Sequence, residues 1–155
     1  MAVFCSSGVV TELCPKPGDT VSFHTQILVN GMLEIPEQKP DIEELLNTAI
    51  EITVHKALTI TVKAPVGRKV LVAGTLDFGV EYIADVPDQK VHFAHYELPF
   101  QALVKNNDGS LLPFDFDLNL YNVHICIEHV EVHEVDGRSF LKEIVLLIWL
   151  QPKAD

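Results

Sequence analysis

Cys5, Cys14 and Cys126 carry the most reactive chemistry in this chain of 155 residues. Three is an odd number, so at least one thiol has no cysteine partner within the chain. Cys5 and Cys14 lie in the opening stretch MAVFCSSGVVTELCPKPG, on either side of Val9 and Val10. Cys126 lies between Ile125 and Ile127 in a stretch that reads as a strand, so its side chain points away from the apolar face, with His124 and Glu128. A free cysteine is normally buried. Two readings follow: Cys126 is a docking point for the arm of another subunit, bonded to its Cys5 or Cys14, or it is a small core residue on a face covered by the second sheet. A bond between subunits needs an oxidising setting, and spacing alone does not fix which pair forms.

The histidines raise a second chemistry. His92 and His95 are three apart on an expected strand and face opposite ways, a poor ligand pair. His124, Cys126 and Glu128 share one face, and His129, Glu131 and His133 share one further along. Either trio has the residue types that hold zinc. Polar residues alternating on a solvated strand face give the same pattern, and the sequence favours that simpler reading. No metal or other cofactor is expected; His124, Glu128, His129 and His133 are the candidates should one bind. The chain has no Gly-rich phosphate loop, no G-x-S-x-G elbow and no H-E-x-x-H motif. Asp115 and Asp117, two apart, read as a solubilising face, so an enzyme is not expected.

Acidic residues outnumber basic ones 22 to 11, a formal net charge of −11, which repels phosphate backbones and anionic lipid. Nucleic-acid and membrane-surface partners are therefore not expected. The longest apolar run, Ile144 to Leu150, is far short of the roughly 20 residues of a membrane-spanning helix. The first residues lack a positive region followed by a long apolar one, so synthesis in the cytoplasm without a signal peptide is expected.

The elements that must position these residues are mostly strands. Lys69 to Ala84 alternates over a long span, with Val70, Val72, Gly74, Leu76, Phe78, Val80 and Tyr82 on one side, which predicts a central strand. Gly74 and Gly79 within it signal a bend, a bulge or the close approach of another backbone. Thr20 to Asn30 reads as a half-buried strand ending in an Asn30-Gly31 turn. Asp41 and Glu44 have capping-box spacing ahead of Ile42, Leu45, Leu46 and Ala49, which predicts one short helix. Glu51 to Lys63 alternates again, interrupted by Lys56. Val91 to Val104 is a strand demoted to an edge or a bulge by Pro99. Phe114 to Val135 shifts phase near Tyr121-Asn122 and near Glu128-His129, each shift implying a bulge. Ser139 to Gln151 is the last strand, and its unbroken apolar run implies burial on both faces or against a partner. The fold class is all-β, a β-sandwich or jelly-roll-like pair of sheets with one short helix. Residues 1–18, with two prolines, read as an extended N-terminal arm spanning about 60 Å at roughly 3.3–3.6 Å per residue, and residues 19–155 as the β domain. Val3, Phe4, Val9 and Val10 are the arm's expected contacts.

Three stretches taken in order resemble the SPOCS domain of spore coat and spore morphogenesis proteins from endospore-forming Firmicutes. They are IPEQKPDIEELLNTAIEITVHKALTI, KVLVAGTLDFGVEYIA with Gly74, Leu76 and Tyr82, and VHFAHYELPFQALV with Leu98-Pro99-Phe100. The similarity runs from about Val21 to Gln151. It implies a structural role in spore envelope layers, by self-assembly or by docking to other coat proteins. The layout also looks like that of endospore appendage fibre subunits, in which an N-terminal cysteine arm crosslinks to the next subunit. The expectation is a homopolymer-forming subunit of a spore-surface layer, tube or fibre, linked by the arm and by disulfides, and deposited on the spore surface or outside the lysed cell. The alternative is a binding module that does not polymerise and instead recruits a coat protein or binds a metal or glycan.

Overall fold

In the computed structural model the described residues are 10–11, 13–19, 21–63 and 66–153. They form eight strands: β1 (Val10–Thr11), β2 (Phe23–Leu28), β3 (Gly31–Glu34), β4 (Ile42–Lys63), β5 (Val66–Ala84), β6 (Val91–Asn106), β7 (Tyr121–Asp136) and β8 (Ser139–Pro152). A 3-10 turn at Leu118–Leu120 precedes β7 and is capped by Asp117, whose side chain accepts from the Asn119 amide. Asp117 is thus a cap rather than an idle surface charge. The all-β expectation holds.

The two-sheet expectation does not. The strands form one hydrogen-bonded sheet in the order β1-β7-β8-β2-β6-β5-β4, with β3 pairing β8 off that path. All pairs are antiparallel except β1 with β7. Its two limbs join through a short ladder in which Phe23 and His24 of β2 face Asn106 and Lys105 of β6. The limbs share one core, with the Phe78 ring of β5 set 6.4 Å from that of Phe140 on β8. Alternation tells which face of a strand seeks cover. It does not tell whether the covering layer is a separate sheet or the same sheet folded over.

The long central strand is present as β5, paired along its length with β4 on one side and β6 on the other. Gly74 answers to the close approach anticipated for it. A Cβ there would meet the Thr53 carbonyl inside van der Waals contact and would come within 2.8 Å of the Phe100 ring. On β6, Val91 to Val104 pair with β5 and with no other strand among the described residues, so Pro99 sits on an edge strand.

The expected helix at residues 41–49 is the first part of β4 instead. Register shifts between Ile42 and Glu44 and between Leu45 and Asn47 each insert an extra residue. Two bulges so closely spaced break the two-residue alternation and leave apolar residues at helix-like intervals. Asp41 does not cap a helix; its carboxylate takes a hydrogen bond from Arg138 at 3.0 Å. A third shift, between Val54 and Lys56, turns Lys56 to solvent and hands the buried phase to Ala57. Asn30-Gly31 is a break between two collinear strands rather than a hairpin, since β2 and β3 both pair with β8. The Asn30 side chain fills the gap by accepting from the Ile144 amide, 3.2 Å away.

In β7 the bulge expected near Glu128-His129 is present, between Ile127 and His129. The one expected near Tyr121-Asn122 is replaced by the 3-10 turn, after which the strand begins. The bulge at Glu128 switches the phase so that Ile127, Val130 and Val132 all pack on the core.

A clamp fastens the β3–β4 connection to the β7–β8 hairpin. The Arg138 guanidinium donates to the carbonyls of Lys39 (2.6 Å), Ile35 (3.1 Å) and Pro36 (2.9 Å) as well as to Asp41. Tyr82 and Tyr96 add hydroxyl bonds to the carbonyls of Pro40 and Glu34. Burial, foremost, pushes the Tyr96 hydroxyl up to about 12, so it stays a donor. Arg138→Ala is expected to lower stability by roughly 2–4 kcal/mol, because three carbonyls lose a charge-assisted partner. Arg138→Lys should recover only part of that, since an ammonium cannot match the planar fork; urea unfolding of the three proteins checks both.

Candidate functional site

Strand β8 carries apolar residues on both faces. Ile144, Leu146, Ile148 and Leu150 enter the shared core, while Leu147 and Trp149 point outward, yet both are buried. Their cover comes from the N-terminal segment, and Cys126 of β7 is its anchor.

Cys14 and Cys126 form a disulfide within one chain, their Cα atoms 4.7 Å apart. Beside it the Trp149 indole N–H donates to the Leu13 carbonyl at 2.9 Å, and Val21 packs on the cluster of Cys126, Leu147 and Trp149. The His124 ring lies 4.8 Å from that of Trp149, and its Nε2 is 3.0 Å from Gln151 Oε1. Between Leu13 and Val21 the chain reverses at Lys16–Asp19, where the Asp19 amide donates to the Lys16 carbonyl, the Lys16 amide donates to the Asp19 carboxylate, and Gly18 adopts φ 92°. Upstream, Val10 and Thr11 add a short parallel strand to the edge of β7 opposite Val123 and His124. An edge strand, an indole hydrogen bond and a covalent bond thus hold one segment on one face.

Cys126 does face outward with His124, as its position in the strand required. Neither a second sheet nor open solvent lies above it; the segment around Cys14 does. Both cysteines were weighed as links between subunits, and in this structure they are bonded to each other. Cys5, Val3, Phe4 and Val9 lie outside the described residues, and Val10 is placed by its backbone pairing with Val123.

The four histidine and glutamate candidates do not converge. His124 packs against Trp149 with the rings tilted by 33°, and Glu128 accepts from Gln26 Nε2 at 2.8 Å. Further along β7, Glu131 Oε2 lies 3.5 Å from His129 Nε2 and 3.3 Å from His133 Nε2. Hydrogen bonds from those two rings, His129 first, hold the Glu131 carboxyl below the usual carboxylate range. The register places Glu143 of β8 opposite Glu131. The sequence reading missed Glu143, because a register shift between Glu134 and Asp136 displaces the ladder by one residue, and counting back from the Asp136-Gly137 turn sets Ile144 opposite Glu131 instead. Trp149 and Leu13 were missed too, because nothing in a strand pattern says which loop returns to cover it.

A family model described as SipL, SPOCS domain, matches residues 41–135. The chain belongs to the SPOCS-domain family. Membership of this family suggests a role in the spore coat or in spore morphogenesis. No curated protein and no solved structure matches the chain. The SPOCS match takes in β4, β5, β6 and nearly all of β7, and it includes Cys126 but neither Cys14 nor Trp149. No helix among the described residues is long and apolar enough to cross a membrane.

The bond joins residues separated by 112 positions, so its loss frees a long loop. Cys126→Ser is expected to cost about 2–5 kcal/mol in non-reducing urea unfolding. Trp149 is the chain's one tryptophan, so release of the segment reads out as a red-shifted emission more easily quenched by acrylamide, in the variant and in the reduced wild-type protein alike.

Proposed function

We propose that this SPOCS-domain protein is a structural, self-assembling subunit of a spore-surface layer, tube or fibre. The arm of one subunit docks on the β7–β8 outer face of the next, with the same contacts that Leu13 and Cys14 make within one chain. The observation that carries this reading is the dock itself. Its contacts come from a segment joined to the domain through one short turn, and exchange of an identical element between protomers forms identical bonds at little cost.

Three further features support it. β4 lies at one end of the strand order and β6 is unpaired over most of its outer edge, so both offer backbone groups to a neighbouring strand. Exposed Glu43, Glu51, Lys56 and Lys63 on β4 restrict which neighbour fits. The net charge of −11 slows association until subunits are concentrated. Pairing Cys14 with Cys126 leaves Cys5 as the thiol available for a further link between subunits. Such a bond forms by oxidation of two thiolates, with an extracellular oxidant such as dioxygen accepting the electrons.

Negative-stain electron microscopy of the full-length protein is expected to show regular tubes, fibres or sheets that disperse in strong reductant. Discrete particles under both conditions would favour the non-polymerising module instead. The arm exchange has its own test. Unlabelled and 15N-labelled subunits are mixed reduced and unfolded, refolded with oxidant and digested; the disulfide-linked peptides holding Cys14 and Cys126 should include pairs of mixed label. Pairs of uniform label alone would place the bond within each chain and assign the arm a purely structural role.

A further inference from the structure

On the outer face of the β7–β8 hairpin, beyond the docked segment, two carboxylates stand directly opposite each other on neighbouring strands. Glu131 pairs with Glu143 in the register. Like charges at such positions repel and destabilise a sheet, and sequences ordinarily avoid them. Here an imidazole joins the pair: one ligand atom each from His129, Glu131 and Glu143 lies within 4.8 Å of the others.

We propose that His129, Glu131 and Glu143 bind a divalent transition-metal ion, with zinc as the ion to test. A tetrahedron built on metal–ligand bonds of about 2.0–2.1 Å has edges of roughly 3.3–3.4 Å. The 3.5 Å from Glu131 to His129 is close to such an edge, so small side-chain rotations bring the donors onto one ion. Nitrogen and carboxylate donors together suit zinc, copper or nickel more than magnesium or calcium. Two carboxylates balance the double charge, and the cation replaces their repulsion with attraction to a shared centre. His133, 3.3 Å from Glu131 on its other side, steadies that carboxylate. The donors are set by backbone. The bulge at Glu128 puts His129, Glu131 and His133 on the outer face, and the β7–β8 ladder holds Glu143 against Glu131. All are exposed or half-exposed, so an ion reaches them from solvent and water completes its coordination.

The test is isothermal titration of zinc chloride into the full-length wild-type protein and into His129→Ala, Glu143→Gln and His92→Ala. One saturable site per chain is expected in wild type and in His92→Ala, which lies on β6 away from the cluster. In His129→Ala and Glu143→Gln the affinity should fall by about tenfold or more. These side chains reach solvent, so unchanged far-ultraviolet circular dichroism should accompany the loss; if His129→Ala misfolds, Glu143→Gln carries the test alone. No saturable uptake by wild type, or uptake undiminished in Glu143→Gln, overturns the proposal, the second outcome placing the ion elsewhere on the chain.

Discussion

Strand β8 is apolar on both faces from Ile144 to Leu150, and everything around it answers to that constraint. An antiparallel sheet ordinarily leaves one face to water, and a strand buried on two sides must find a layer for each. The inner layer is the rest of the same sheet, folded over so that β5 and β6 lie against β8 with Phe78 and Tyr96 meeting Phe140. The outer layer is the segment around Leu13, Cys14 and Val21. Burying a large side chain such as Leu147 or Trp149 contributes roughly 1.5–3 kcal/mol, so the segment is drawn down by packing as well as by its covalent bond.

In the assembly proposed above, the same constraint links stability to contact between subunits. A face that must be covered can be covered by its own chain or by a neighbour's, and the physical contacts are alike. Among the described residues the unpaired edges of β4 and β6 lie at other parts of the sheet, so in the proposed assembly lateral pairing and arm docking would use different groups.

Irregularities in the strands serve this arrangement. Bulges near Glu43, Leu46, His55 and Glu128 reset which residues face the core; the one at His55 turns Lys56 outward and buries Ala57, whereas the one at Leu46 leaves that side chain exposed. The Arg138 clamp closes the end of the fold where β4 enters, satisfying carbonyls that no ladder reaches. Lys142, buried on β8, has its ammonium beside Gly31, which adopts φ 143°. Burial alone holds it below the ordinary lysine value.

By itself the sequence determined the all-β class, the central strand, the edge position of Pro99, the bulge at Glu128 and the two-sided burial of β8. Each is a local matter of alternation, turn chemistry or a run of apolar residues, and the stretches at Ile35 to Ala84 and Val91 to Val104 carried the family as well. Three things belonged to tertiary structure. Residues 41–49 are strand rather than helix because pairing with β5 outweighs a capping-box spacing, and bulges disguised the alternation. The limbs form one sheet because Phe23 and His24 reach Asn106 and Lys105, a contact between residues far apart in the chain. Cys14 meets Cys126, and Glu143 meets Glu131, because strand order and register bring them together. Periodicity reports the direction in which a side chain points, and only the folded sheet decides what it meets there.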